Sequence, residues 1–115
     1  MTRFSSEQTL SVAGSTVTAA ATSNAVKTET AKDARIYLDI TAVPGGGETL
    51  DVFVQISADN VDFADVKAFN NITAVSFQVL TLKEDEVGTF TKLRFAPSAG
   101  GTWELGATIE KKQGG

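Results

Sequence analysis

The chain has 115 residues, a formal net charge of −4, and neither cysteine nor histidine. Lacking both residue types, it can hold no disulfide, no zinc-finger or thiol-redox centre, and no Ser-His-Asp or Cys-His catalytic arrangement. Its ten basic residues are scattered singly apart from Lys111-Lys112, which argues against the clustered cationic surface that nucleic acid requires.

The length fits one domain, and area scaling lets such a chain bury roughly 65% of its unfolded surface, enough for one core. No apolar run approaches the ~20 residues of a membrane-spanning helix. The opening "MTRFSSEQTL" contains no apolar signal core, so the expected product is soluble and made in a cytoplasm.

In chain order, residues 1–8 show no periodicity and are expected to form a flexible N-terminal arm, followed by one β-sandwich domain over 9–112. "TLSVAG" (9–14) and "STVTAAATSNAV" (15–26) read as weak strands; an alanine-rich helix over 18–26 competes, opposed by Thr16, Val17, Thr18 and Thr22. "ARIYLDITAV" then alternates strictly, with Ile36, Leu38 and Ile40 on one face and Arg35, Tyr37 and Asp39 on the other. Pro44-Gly45-Gly46-Gly47 makes a turn. "ETLDVFVQIS" repeats the alternation, with Leu50, Val52, Val54 and Ile56 inward and Phe53 outward. "ADVKAFN" (64–70) and "VSFQVLTL" (75–82) are further strands, and "KEDEVG" (83–88) is a charged connection. The closing strands, "TFTKLRFAPS" and "TWELGATIEKK", place Leu93, Phe95, Trp103, Leu105 and Ile109 inward. Residues 113–115 form a short flexible tail. Seven to eight short strands with one wet face each describe an all-β, antiparallel sandwich of jelly-roll type.

"SADNVDFADV" (57–66) places three aspartates and an asparagine around one phenylalanine. It lacks the mid-loop glycine and the terminal glutamate of a calcium loop, and acids within one short turn fan outward instead of facing each other across a sugar. The favoured reading is a hairpin in which Ser57 closes a strand, Asp59-Asn60 turn the chain, and Phe63 packs back onto the core. No metal, cofactor or catalytic residue is expected. Tyr37 and Phe53 lie on the polar sides of their strands. If those strands are neighbours, the two rings form an apolar contact patch; if both sheet faces are covered, they are ordinary packing.

The run "IYLDITAVPGGGETLDVFVQISADNVDFADV" resembles a pattern found in small virion proteins of tailed bacteriophages. The matching residues are Asp39-Ile40-Thr41-Ala42-Val43, Thr49-Leu50-Asp51-Val52, Gln55-Ile56-Ser57, Asp59, Val61, Phe63, Asp65 and Val66, while Asn60 stands where glycine is frequent and Phe63 where tryptophan is. The resemblance implies a structural β-sandwich, most often a head decoration (cement) protein on the capsid exterior. Its partner would be the major capsid protein, and it would act as a dimer or trimer at a capsid symmetry axis. Neither a membrane nor a nucleic-acid partner is expected, on the hydropathy and charge given above. A tail- or fibre-associated adhesin for host-surface glycans is the alternative, and a depolymerase fragment a third. Arg3 and Phe4 of the N-terminal arm are the expected anchors on a neighbouring subunit, with Tyr37 and Phe53 as further contacts.

Overall fold

A computed structural model describes residues 4–10, 16–28 and 31–113. These form ten strands and no α-helix. The strands are β1 (Phe4–Leu10), β2 (Thr16–Val17), β3 (Ala21–Thr22), β4 (Val26–Lys27), β5 (Ala31–Ala42), β6 (Leu50–Ser57), β7 (Ala64–Ile72), β8 (Ser76–Leu82), β9 (Phe90–Pro97) and β10 (Trp103–Gln113). The competing helix over 18–26 does not form. Its residues instead enter β3 and β4, which both pair with β9, while β2 just before it pairs with β10.

Sheet A runs β1-β10-β5-β8, with β2 also on β10; sheet B runs β3-β9-β6-β7, with β4 also on β9. Every pairing is antiparallel. Taking β1 with β2 as one broken strand and β3 with β4 as another gives the two four-stranded sheets of a jelly roll. The expected fold class is therefore the observed one. Residues 16–28 carry the chain from sheet A to sheet B on one side of the sandwich. Ser23 bridges the gap between β3 and β4: its N–H donates to the Leu93 carbonyl at 2.8 Å and its Oγ accepts the Leu93 N–H at 2.9 Å.

The alternation explains the core. Ile36, Leu38 and Ile40 of β5 and Trp103, Leu105 and Ile109 of β10 face Leu50, Val52 and Val54 of β6 and Leu93 and Phe95 of β9, all buried. Of the expected core, only Ile56 is half-buried, where a bulge between Val54 and Gln55 shifts the β6–β7 register.

The N-terminal boundary differs from the expectation. Residues 4–10, read as largely part of an arm, form β1, with Gln8 opposite Ile109 and Leu10 opposite Ala107. Backbone pairing to a long neighbour orders a segment whose side chains show no periodicity. Gln113 likewise ends β10 instead of opening a tail. Arg3 and the remainder of that tail, residues 114–115, lie outside the described residues.

Candidate functional site

The two outer faces of the sandwich differ, and the difference lies in how each treats its aromatic residues. On sheet B, Phe53 of β6 stands opposite Arg94 of β9, whose guanidinium lies 4.0 Å above the ring centroid. Arg94 also donates to Asp65 Oδ2 at 2.9 Å, and Asp65 Oδ1 accepts from Gln55 Nε2 at 2.9 Å. Lys92 places its ammonium 4.1 Å from the ring centroid of Phe63. Phe63 therefore sits half-buried under a cation on the outer face, not packed back onto the core as the hairpin reading expected. Phe53 and Phe63 thus each have one ring face covered by a cation.

On sheet A the aromatic pair is uncovered. Tyr37 of β5 and Phe77 of β8 stack with centroids 6.0 Å apart and planes inclined by 24°. The Tyr37 hydroxyl donates to the Glu110 carboxylate, which fixes the ring against the sheet. Phe77 is 64% exposed and Val79 49% exposed, and both project from the same side of β8. Asp39 lies between Phe77 and Gly106 in one cross-strand row. Because Gly106 has no side chain and an added Cβ would meet nothing within 4 Å, the sheet surface is notched there. The result is a shallow groove of about 340 Å³ lined by Tyr37, Asp39, Phe77, Gly106, Ala107 and Thr108.

Tyr37 and Phe53 therefore belong to opposite faces of the sandwich and form no common patch. Tyr37 joins the groove, and Phe53 is sealed beneath Arg94. Of the other two expected anchors, Arg3 lies outside the described residues, and Phe4 contributes its backbone to β1 opposite Lys112. Phe77, Val79 and Gly106 were missed by sequence reasoning. The alternation within "VSFQVLTL" did carry the signal for Phe77 and Val79, since it places two apolar side chains on one face and Gln78 on the other.

The acidic hairpin is built to hold itself. Asp59 Oδ1 accepts the N–H groups of Val61 and Asp62, each at 2.9 Å, and the Ser57 hydroxyl at 2.9 Å. Ser57 Oγ in turn accepts the N–H of Asn60 at 2.9 Å. Asn60 takes the left-handed conformation, φ 63°, that the turn requires. These donors hold the Asp59 carboxyl well below its ordinary value, at about 2. Asp65 is engaged by Arg94 and Gln55, and Glu86 by the Lys83 N–H and Lys67; both carboxyls are lowered for those reasons. Among the described residues no three acidic groups converge on one point as metal ligands would.

No protein-family model and no curated protein matches this chain.

Proposed function

We propose that this chain is a structural binding protein that docks through the outer face of sheet A, in the role of a decoration (cement) protein on the exterior of a tailed-phage head. The observation that carries the docking face is the contrast between the two sheets: Phe53 and Phe63 are capped by cations, whereas Phe77 and Val79 stand open beside the Gly106 notch. Exposed apolar surface grouped around a concavity and rimmed by polar groups marks a protein contact. Support for the virion role comes from the resemblance of residues 36–66, which fold as β5, the glycine turn, β6 and the acidic hairpin.

The experiment is co-sedimentation of the purified protein with undecorated heads of the phage whose genome encodes it. Saturable binding is expected. Gly106→Phe, which fills the notch, should weaken it tenfold or more, about 1.4 kcal/mol. Binding by neither protein, or equal binding by both, overturns the reading.

One observation favours a second reading. The Tyr37–Phe77 pair beside the Asp39 carboxylate offers a stacking surface and a hydroxyl acceptor, the combination that sugar rings use. Glycan-array binding abolished by Tyr37→Ala and Asp39→Ala, together with no affinity for heads, would make the protein an adhesin.

A further inference from the structure

Among the described residues strand β8 ends sheet A, and its edge is open in a way that β7, the edge of sheet B on the same side, is not. β7 carries two register shifts against β6, a left-handed residue (Asn71, φ 52°), and a lysine directed inward. That lysine, Lys67, stands opposite buried Val54 and reaches across the gap between the sheets. Its Nζ donates to Glu86 Oε1 at 3.1 Å and to the Thr81 carbonyl of β8 at 2.8 Å. Bulges and inward-pointing lysines are the devices by which edge strands avoid pairing with another chain. β8, "SFQVLTL", has none of them: no charge, no proline and no register shift against β5.

The Lys67 bond also fixes which backbone groups are open. In an antiparallel strand the N–H and C=O of one residue point to the same side, and successive residues alternate. A Thr81 carbonyl taken by Lys67 from beyond the β5 ladder puts the N–H and C=O of Val79 and Phe77 on that same outer side. Lys67 closes the edge at Thr81, leaving a free stretch symmetric about Gln78.

We infer that β8 pairs with β8 of a second copy of this chain, antiparallel about a two-fold axis at Gln78, joining the two A sheets into one. Phe77 then faces Val79 of the partner copy and Val79 faces Phe77, so four backbone groups on each strand are satisfied. On the outer face the two exposed apolar side chains of β8 become cross-strand aromatic–β-branched pairs, flanked by the Tyr37 ring of each copy. The second copy is chosen over a foreign strand because the free stretch is self-complementary. An uncharged strand also lets two chains of net charge −4 meet without opposing like charges at the seam. The two-fold closes on itself, whereas pairing of β8 onto the opposite edge of sheet A would propagate without end. This assignment stands apart from the virion reading, because Gly106, the test residue there, lies two strands from the edge.

The test is sedimentation equilibrium of the full chain from low micromolar to millimolar concentration. The expected result is a reversible rise from 12.1 kDa to twice that mass. Val79→Pro deletes only an outward N–H and leaves the β5 ladder intact. Phe77→Lys sets a cation on each side of the seam. Each variant should stay monomeric over the same range, with circular dichroism unchanged, while Val61→Lys in the distant hairpin should dimerise as the parent does. A parent that remains monomeric at millimolar concentration overturns the inference. So does a dimer that survives both folded variants, or open-ended association past the dimer.

Discussion

Thr28 Oγ1 and Thr91 Oγ1 share a buried hydrogen bond of 2.8 Å between the end of β4 and strand β9. Thr28 Oγ1 also donates to the Gly88 carbonyl at 2.7 Å. A threonine hydroxyl has one proton, so Thr91 must be the donor to Thr28. The two residues are therefore not equivalent. Thr28→Val strands both the Thr91 hydroxyl and the Gly88 carbonyl, whereas Thr91→Val removes one donor and leaves the bond to Gly88 intact. Each stranded buried group costs about 1–3 kcal/mol. Urea titration should show Thr28→Val as the more destabilising change, and the double variant as less damaging than the sum of the two. Equal costs that simply add would refute the chain of donors.

Asn60 is the pivot of the acidic hairpin, with φ 63° and its N–H held by Ser57 Oγ. Asn60→Gly should leave stability close to the parent value, because glycine enters this conformation freely. Asn60→Val should cost about 1–2 kcal/mol, because a β-branched residue pays the left-handed penalty in full. Thermal melts of the two variants check the order, and a harmless valine would mean that the turn relaxes.

The pH dependence follows from Asp59. Its carboxyl is depressed to about 2 by the Asp62 and Val61 N–H groups and by Ser57. A carboxylate depressed in the folded state contributes stability in full above its unfolded value, near about 4, and loses it as pH falls through the folded value. Asp65 and Glu86, lowered by Arg94 and by the Lys83 N–H respectively, add in the same direction. Acid should therefore weaken the domain between about pH 4 and pH 2, and Asp59→Asn should flatten part of that slope. The direct measurement is the carboxyl carbon shift of Asp59, whose midpoint should lie near 2. A midpoint at an ordinary carboxylate value would remove this account of the loop.

The sandwich was legible because period-two alternation is a local property: Ile36, Leu38 and Ile40, or Leu50, Val52 and Val54, announce their shared face without reference to any neighbour. Strand order is not local. Nothing within "ARIYLDITAV" or "ETLDVFVQIS" says that β5 and β6 lie in different sheets, so Tyr37 and Phe53 could not be assigned to opposite faces. β1 was missed for a related reason, since its order comes from backbone pairing with β10, which leaves no trace in side-chain pattern. Residues 16–28 were ambiguous because small alanines and threonines suit a chain that changes sheets as well as they suit one that stays. The Asp59 turn, by contrast, is built from residues two and three apart, and the preferences of Ser, Asp and Asn were enough to place it.

Trp103 supplies the last prediction. It is the largest fully buried side chain, 0% exposed on β10, and its Nε1 finds no hydrogen-bond partner among the described residues. Two opposing effects therefore attend Trp103→Phe. Shrinking the ring opens a cavity and forfeits packing, which by itself destabilises as other large-to-small core changes do. Removing the indole N–H relieves the desolvation of an unpaired donor, about 1–3 kcal/mol in the opposite sense. Leu105→Ala on the same strand carries no such relief and should cost about 2–5 kcal/mol. Trp103→Phe is thus expected to be the milder of the two despite deleting the more voluminous group. Guanidinium unfolding of both variants, compared at equal slopes, decides the matter. If Trp103→Phe proves the costlier, the indole N–H is paired in solution and the buried donor carries no penalty to relieve.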